Sequence, residues 1–361
     1  MQEENYLVYL KKTIMDNPDK IKKFLVKKFI EKGIAIKSKD SSDQLIIDNI
    51  GINISGKDLT EQLLSCIQNS KDARLFYEKW EFIKDYKYSV LYSCDKFQHI
   101  LEEILKIEPL KDNYENDFIF KSFDKPVAYH MEKFSFLKFN IEFAAIHPTS
   151  QEELLLKYPF LVVFHKMDKL IEFRFDAIKR IYISENKEST IYSKLISSMV
   201  KYLENNYDCK LQPIDLNFLI NLSKNDSEVK LIAQYMNLPN GGNAQLEVGN
   251  NQEYVLPIIG EIRSILAENR EDLEKVPSIK DALEQFIYEM DEMSDYPWIE
   301  LLWEDEIKTR SIHAKFVFNY MGNNYCLIQH YYSSTLIGME RMNHVIKYIV
   351  DHKDGNTQRI E

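Results

Sequence analysis

The residues best typed for chemistry lie between positions 291 and 308. Asp295 precedes a strand-like run, and Glu304-Asp305-Glu306-Ile307-Lys308 follows it. An acid at one strand with an acid-x-Lys at the next is the donor pattern of metal-dependent nucleases of the restriction type. The carboxylates hold Mg²⁺, the ion activates a water, and the lysine steadies the charge developing on phosphate. Asp295, Glu306 and Lys308 are thus the catalytic candidates, with Mg²⁺ as the implied cofactor. The pattern is a weak signal, because acid-x-Lys recurs readily in a chain with 29% charged residues. Here it also follows a run of acids, whereas such sites use an apolar, buried strand.

Other catalytic patterns are missing from the sequence. It contains no G-x-x-x-x-G-K-[ST], no G-x-G-x-x-G, no G-x-S-x-G and no H-E-x-x-H. Asn240-Gly241-Gly242-Asn243 reads as a turn between strands. The eight histidines have no metal-ligand spacing. Cys66, Cys94, Cys209 and Cys326 are far apart, without a C-x-x-C pair; Cys66, at a helical core spacing, and Cys326, within a strand, read as small buried hydrophobes. No cofactor and no metal are therefore expected, and elimination favours a non-enzymatic protein.

Charge is distributed unevenly. The whole chain carries −11, and the window from Glu261 to Glu306, with 15 acids and four bases, carries the same excess. The first 40 residues hold ten lysines against six acids. Most charge runs are only solvated helix faces, but a run this strong can also steer a basic partner. Asp291, Glu292, Glu304 and Asp305 are the candidate docking acids. Trp298 and Trp303 lie in the same segment and are candidate anchors, since tryptophan brings large contact area at small entropic cost. Lys20, Lys23 and Lys27 share one face of an N-terminal helix and form the alternative surface, for weak phosphate contact with nucleic acid. Only eight of the 46 basic residues are arginine, the side chain that forks onto phosphates and guanine edges. Nucleic acid is accordingly not the expected partner; another protein, basic in character, is.

The elements that must position these residues follow from periodicity. Asp16-Asn17-Pro18 starts a helix that Gly33 stops. Leu137, Phe139, Ile141 and Phe143 alternate with Lys138, Asn140 and Glu142, which predicts a half-buried strand. An apolar run at 160–164 turns near Met167-Asp168 into Ile171, Phe173 and Phe175, alternating with Glu172, Arg174 and Asp176. A second hairpin is expected at 310–332, and each hairpin should lead into a helix packed on its sheet. The acidic segment predicts a helix that turns Leu283, Phe286, Ile287 and Met290 inward, followed by a strand over 298–303.

The expected class is α+β, with small antiparallel sheets and helices packed on one face. Helix–strands–helix units recur around 18–70, 95–205 and 278–351. The expected divisions are a helical region with a small sheet (1–110), an α+β domain (111–255), and an acidic helix with sheet and C-terminal helix (256–353). A loose tail follows (354–361). The N-terminus has no signal-peptide pattern and the apolar runs are too short to span a membrane, so a cytoplasmic location is expected. Abundant lysine with little arginine suits an AT-rich bacterial or mobile-element genome, the setting of multi-protein and anti-phage defence systems.

Overall fold

Alternation through Leu137, Phe139 and Ile141, and the apolar run ending at Phe164, become two strands of 13 residues each. The computed structural model describes residues 2–37, 51–110, 126–183, 190–224, 226–239, 241–248, 259–306, 310–331 and 338–357. The apolar run at 45–47 also predicts a short strand, and Ser334-Thr335 the start of the last helix; both lie outside those residues.

The helices are α1 (Gln2–Asp16), α2 (Asp19–Glu31), α3 (Leu59–Asn69), α4 (Lys71–Ile83), α5 (Phe97–Leu105), α6 (Ile191–Tyr207), α7 (Phe218–Ser223), α8 (Ile259–Glu268), α9 (Arg270–Leu273), α10 (Pro277–Ile287) and α11 (Glu340–Thr357). The strands are β1 (Ala35–Ile36), β2 (Ile52–Asn53), β3 (Tyr88–Cys94), β4 (Val127–His130), β5 (Phe134–Ile146), β6 (Glu153–His165), β7 (Leu170–Phe175), β8 (Leu211–Pro213), β9 (Lys230–Asn237), β10 (Asn243–Glu247), β11 (Asp295–Trp303), β12 (Ile312–Val317) and β13 (Leu327–His330). The class is α+β and the pairing is mostly antiparallel; β1 and β2 form a short parallel pair. The chain divides into two compact units, residues 1–84 with 94–211, and residues 85–93 with 212–361.

In the first unit, β4, β5, β6 and β7 pair antiparallel in that order. Helices cover both faces. On one, Phe139 meets Tyr202 of α6 edge-on at 5.0 Å, and Phe97 of α5 lies 6.3 Å from Phe164. On the other, Phe82 of α4 stands edge-on to Phe136, and Thr13 of α1 accepts the Lys157 N–H at 2.8 Å. The polar members of the alternating runs were expected to face water. Instead Lys138, Asn140, Glu172 and Arg174 are buried, because that second face is covered and its charges pair within it.

Lys138 and Lys157, from the central strands, meet Glu78 and Glu81 from α4, and all four side chains are at most 2% exposed. Lys138 Nζ lies 2.7 Å from Glu81, and Lys157 Nζ lies 2.8 Å from Glu78. Lys138 also binds Glu78, which accepts the Tyr6 hydroxyl of α1 as well. Burial alone would raise the Glu78 pKa; the two ammonium groups overcome it and hold the carboxyl at about 2. Close by in sequence, Glu172 accepts from His165 at 2.8 Å and Arg174 at 2.6 Å.

The second unit orders its strands β10-β9-β11-β12-β13-β3, each pair antiparallel. Ile299, Leu301, Trp303, Ala314 and Phe316 form its buried face, against which α7 and α11 pack. The β12–β13 connection needs left-handed backbone, which Gly322 supplies at φ +76°. Arg341 of α11 reaches Asp85 at 2.5 Å, tying the helix to the segment that leads into β3.

Removing one member of the buried quartet leaves charge behind. Lys138→Met is expected to lower unfolding free energy by about 3–5 kcal/mol in urea titration. The sign of the pH dependence follows from Glu78. Its folded pKa is below the ordinary 4.5, so its contribution is full above about pH 4.5 and fades as pH falls toward 2. A urea midpoint that stays flat across that window would refute the assignment.

Candidate functional site

The three residues of the nuclease pattern are spread along and beyond one strand. Asp295 opens β11, and Glu306 lies beyond its other end. The nine-residue strand that separates them spans on the order of 25 Å of extended chain. Asp295 receives the Asn237 amide at 3.3 Å, and Glu306 is exposed. Lys308 lies outside the described residues.

The six docking candidates separate into inner and outer residues. Asp291 is 1% exposed. It accepts from Lys224 at 3.0 Å, and also from Arg263 and the Tyr296 hydroxyl. It therefore gathers α7, α8 and the start of β11 around one carboxylate. Trp303 is 5% exposed and packs edge-on against Tyr348 of α11 at 5.2 Å. Trp298, on the opposite face of β11, is half-buried; the Lys315 ammonium sits 3.2 Å from its ring centroid and Tyr235 lies alongside. Glu304 and Asp305 are exposed just past the strand, and Glu292 lies in a single π-helical turn after α10.

Among the described residues, nothing covers part of the apolar surface of the helices that precede β11. Ile279, Ala282, Leu283, Phe286 and Ile287 recur at the spacing of one α10 face, yet neither α9 nor α10 buries a residue. The residues predicted to turn inward, Leu283, Phe286, Ile287 and Met290, are thus exposed or half-exposed, Phe286 at 41%, and Ile279 on the same side is at 52%. Ile265 of α8 and Val276 are exposed too. Glu271, Asp272, Asp281, Glu284 and Glu289 surround this stripe, all exposed. An isolated helix of this length is marginal in water, so such an apolar face normally packs on something.

A second polar cluster lies on the β11–β12 face that carries Trp298. Glu300 accepts from His313 at 2.8 Å, Lys315 at 3.0 Å and Tyr331 at 3.2 Å. The His313 and Tyr331 rings stack at 3.9 Å. Burial opposes the charge on Glu300, but the His313 and Lys315 hydrogen bonds outweigh it and hold the carboxyl at about 2. Burial and the nearby Glu300 push Tyr331 up to about 12. With three donors on it, Glu300 orients its neighbours and stays ionised at neutral pH. Sequence reading missed this cluster; its signal was the cross-strand pair Glu300–Lys315.

Two further features bear on ligands. Lys20, Lys23 and Lys27 are exposed on α2. Lys23 and Lys27 border a groove of about 430 Å³ that Val26, Ile30, Lys37 and Leu59 also line. The groove lining has no aromatic ring on which a base could stack. Asp226, Glu228 and His352 bring three metal-capable donor atoms within 4.8 Å of one another. Histidine spacing alone did not reveal this set, because its carboxylates lie 124 or more positions from His352.

The inner and outer acids should behave differently. Asp291→Ala removes the shared acceptor of Lys224, Arg263 and Tyr296, and is expected to cost about 3 kcal/mol in urea unfolding. The pair Glu304→Gln and Asp305→Asn should leave the midpoint unchanged; equal effects from both changes would contradict this division. Comparison with protein-family models, with curated proteins and with solved structures gives no match for this chain, so any functional reading starts from the geometry above.

Proposed function

We propose that the protein is a non-enzymatic interaction subunit that docks another protein on the α8–α10 lobe. The observation that carries this reading is the uncovered apolar stripe of α10 inside the acidic window. The matching occupant is a basic segment with an apolar face. Its apolar residues would cover Ile279 and Phe286, and its cations would meet Asp281, Glu284 and their neighbours. Asp291 and Trp303 support the lobe and sheet from within rather than touching the partner. The lysine-rich, arginine-poor composition supports a cytoplasmic role in a bacterial or mobile-element system of several proteins, of the defence type.

The experiment is affinity recovery of a partner from cells of the source organism, using the full chain. Wild type is compared with Ile279→Ser/Phe286→Ser and with Asp281→Asn/Glu284→Gln. All three chains should show the same Tm, because these side chains are exposed. The partner should come with wild type, fall away in both variants, and release as salt screens charges beyond roughly 8 Å. Identical recovery by all three chains would overturn the reading. So would Mg²⁺- or Mn²⁺-dependent cleavage of DNA or RNA that Glu306→Ala abolishes, which would favour the nuclease instead.

A further inference from the structure

Asp226 and Glu228 lie two residues apart just before β9, and His352 lies in α11, five residues before its end. The carboxylate of Asp226 is already oriented. Its Oδ1 accepts the Glu228 N–H at 2.9 Å, and its Oδ2 accepts the Tyr348 hydroxyl at 2.5 Å. The imidazole is oriented too. His352 Nδ1 lies 2.9 Å from the Tyr348 carbonyl oxygen, which can only accept. Nδ1 therefore carries the hydrogen, and in the neutral ring Nε2 holds the lone pair. Nε2 points toward Asp226 Oδ2 at 3.8 Å. Tyr348, which serves both groups, is fixed between Trp303 at 5.2 Å and the His352 ring at 4.4 Å.

Bonds of about 2.0–2.2 Å to a tetrahedral zinc ion put neighbouring donor atoms roughly 3.3–3.6 Å apart. The three donors lie within 4.8 Å of one another, so closing by about an ångström completes that geometry. An imidazole whose second nitrogen donates to a carbonyl, beside a carboxylate held by a hydroxyl, is also the outer shell that metal ligands require. We infer that Asp226, Glu228 and His352 form a binding site for a divalent transition ion of the zinc type, with the remaining coordination open to water. One imidazole and two carboxylates suit such an ion better than Mg²⁺, which prefers oxygen alone. The inference does not depend on the docking function of α8–α10. The competing arrangement is a protonated His352 paired with Asp226 and no ion.

Chelator-treated full-length protein is titrated with Zn²⁺ by calorimetry, and with Co²⁺ to read its visible absorption. One equivalent should bind, and bound Co²⁺ should show the bands of a low-symmetry nitrogen–oxygen site. Glu228→Gln and His352→Ala should each weaken Zn²⁺ binding at least tenfold. Tyr348→Phe, which removes the hydrogen bond that orients the Asp226 carboxylate while leaving all three ligands in place, should weaken it by about tenfold. Glu228 is exposed, so its substitution tests the site in a folded protein. Absence of saturable binding, or binding unchanged by Glu228→Gln and His352→Ala, would leave an ion pair only and overturn the assignment.

Discussion

The first unit depends on two carboxylates and two ammonium groups neutralising one another out of water. Lys138 and Lys157 stand on adjacent strands, and Glu78 and Glu81 stand three residues apart on α4, nearly one helical turn. A helix packed elsewhere, or rotated, would leave like charges buried without counterions. The quartet thus restricts where α4 can sit on the sheet more tightly than apolar packing alone, which tolerates sliding. Tyr6 adds α1 to the same constraint through Glu78. Apolar burial supplies most of the driving force; the charges select one arrangement among those it would permit.

The second unit uses its acids in two contrasting ways. Asp291 is withdrawn from solvent and surrounded by donors from separate elements, so its charge acts inside the unit. The acids of α9 and α10 remain in water around an apolar stripe, so their field extends outward. Net charge along the chain gave both groups the same sign and weight. Burial separates them into a fastener and a surface.

Much of the fold was legible because apolar periodicity reports backbone geometry directly. The buried positions Leu63, Cys66 and Ile67 of α3, the two hairpins and β11 follow from spacing alone. What spacing misreads is the environment of the polar half. Lys138 and Glu172 alternate with apolar residues as surface residues do, and only the placement of α4, His165 and Arg174 shows that they are paired and buried. α10 is the reverse case: its stripe has core spacing, but no described residue of the unit covers it fully. The candidate sites were less legible for a related reason. Asp226 and His352, like Glu300 and Tyr331, are joined by packing between elements distant in sequence, and no local motif encodes such a meeting.

The excursion that carries β3 into the second unit has a consequence for synthesis. Residues 85–93 belong to that unit although the chain on either side belongs to the first. Tyr88 of β3 pairs with Gln329 of β13, 241 positions later. At translation rates of about 5–20 residues per second, that edge of β3 waits roughly ten to fifty seconds for its partner strand to be made. An exposed strand edge is a template for wrong pairing during such an interval. The first unit's own residues are all made by position 211, whereas β3, although β8 pairs with it soon afterwards, gains its β13 partner only with Gln329.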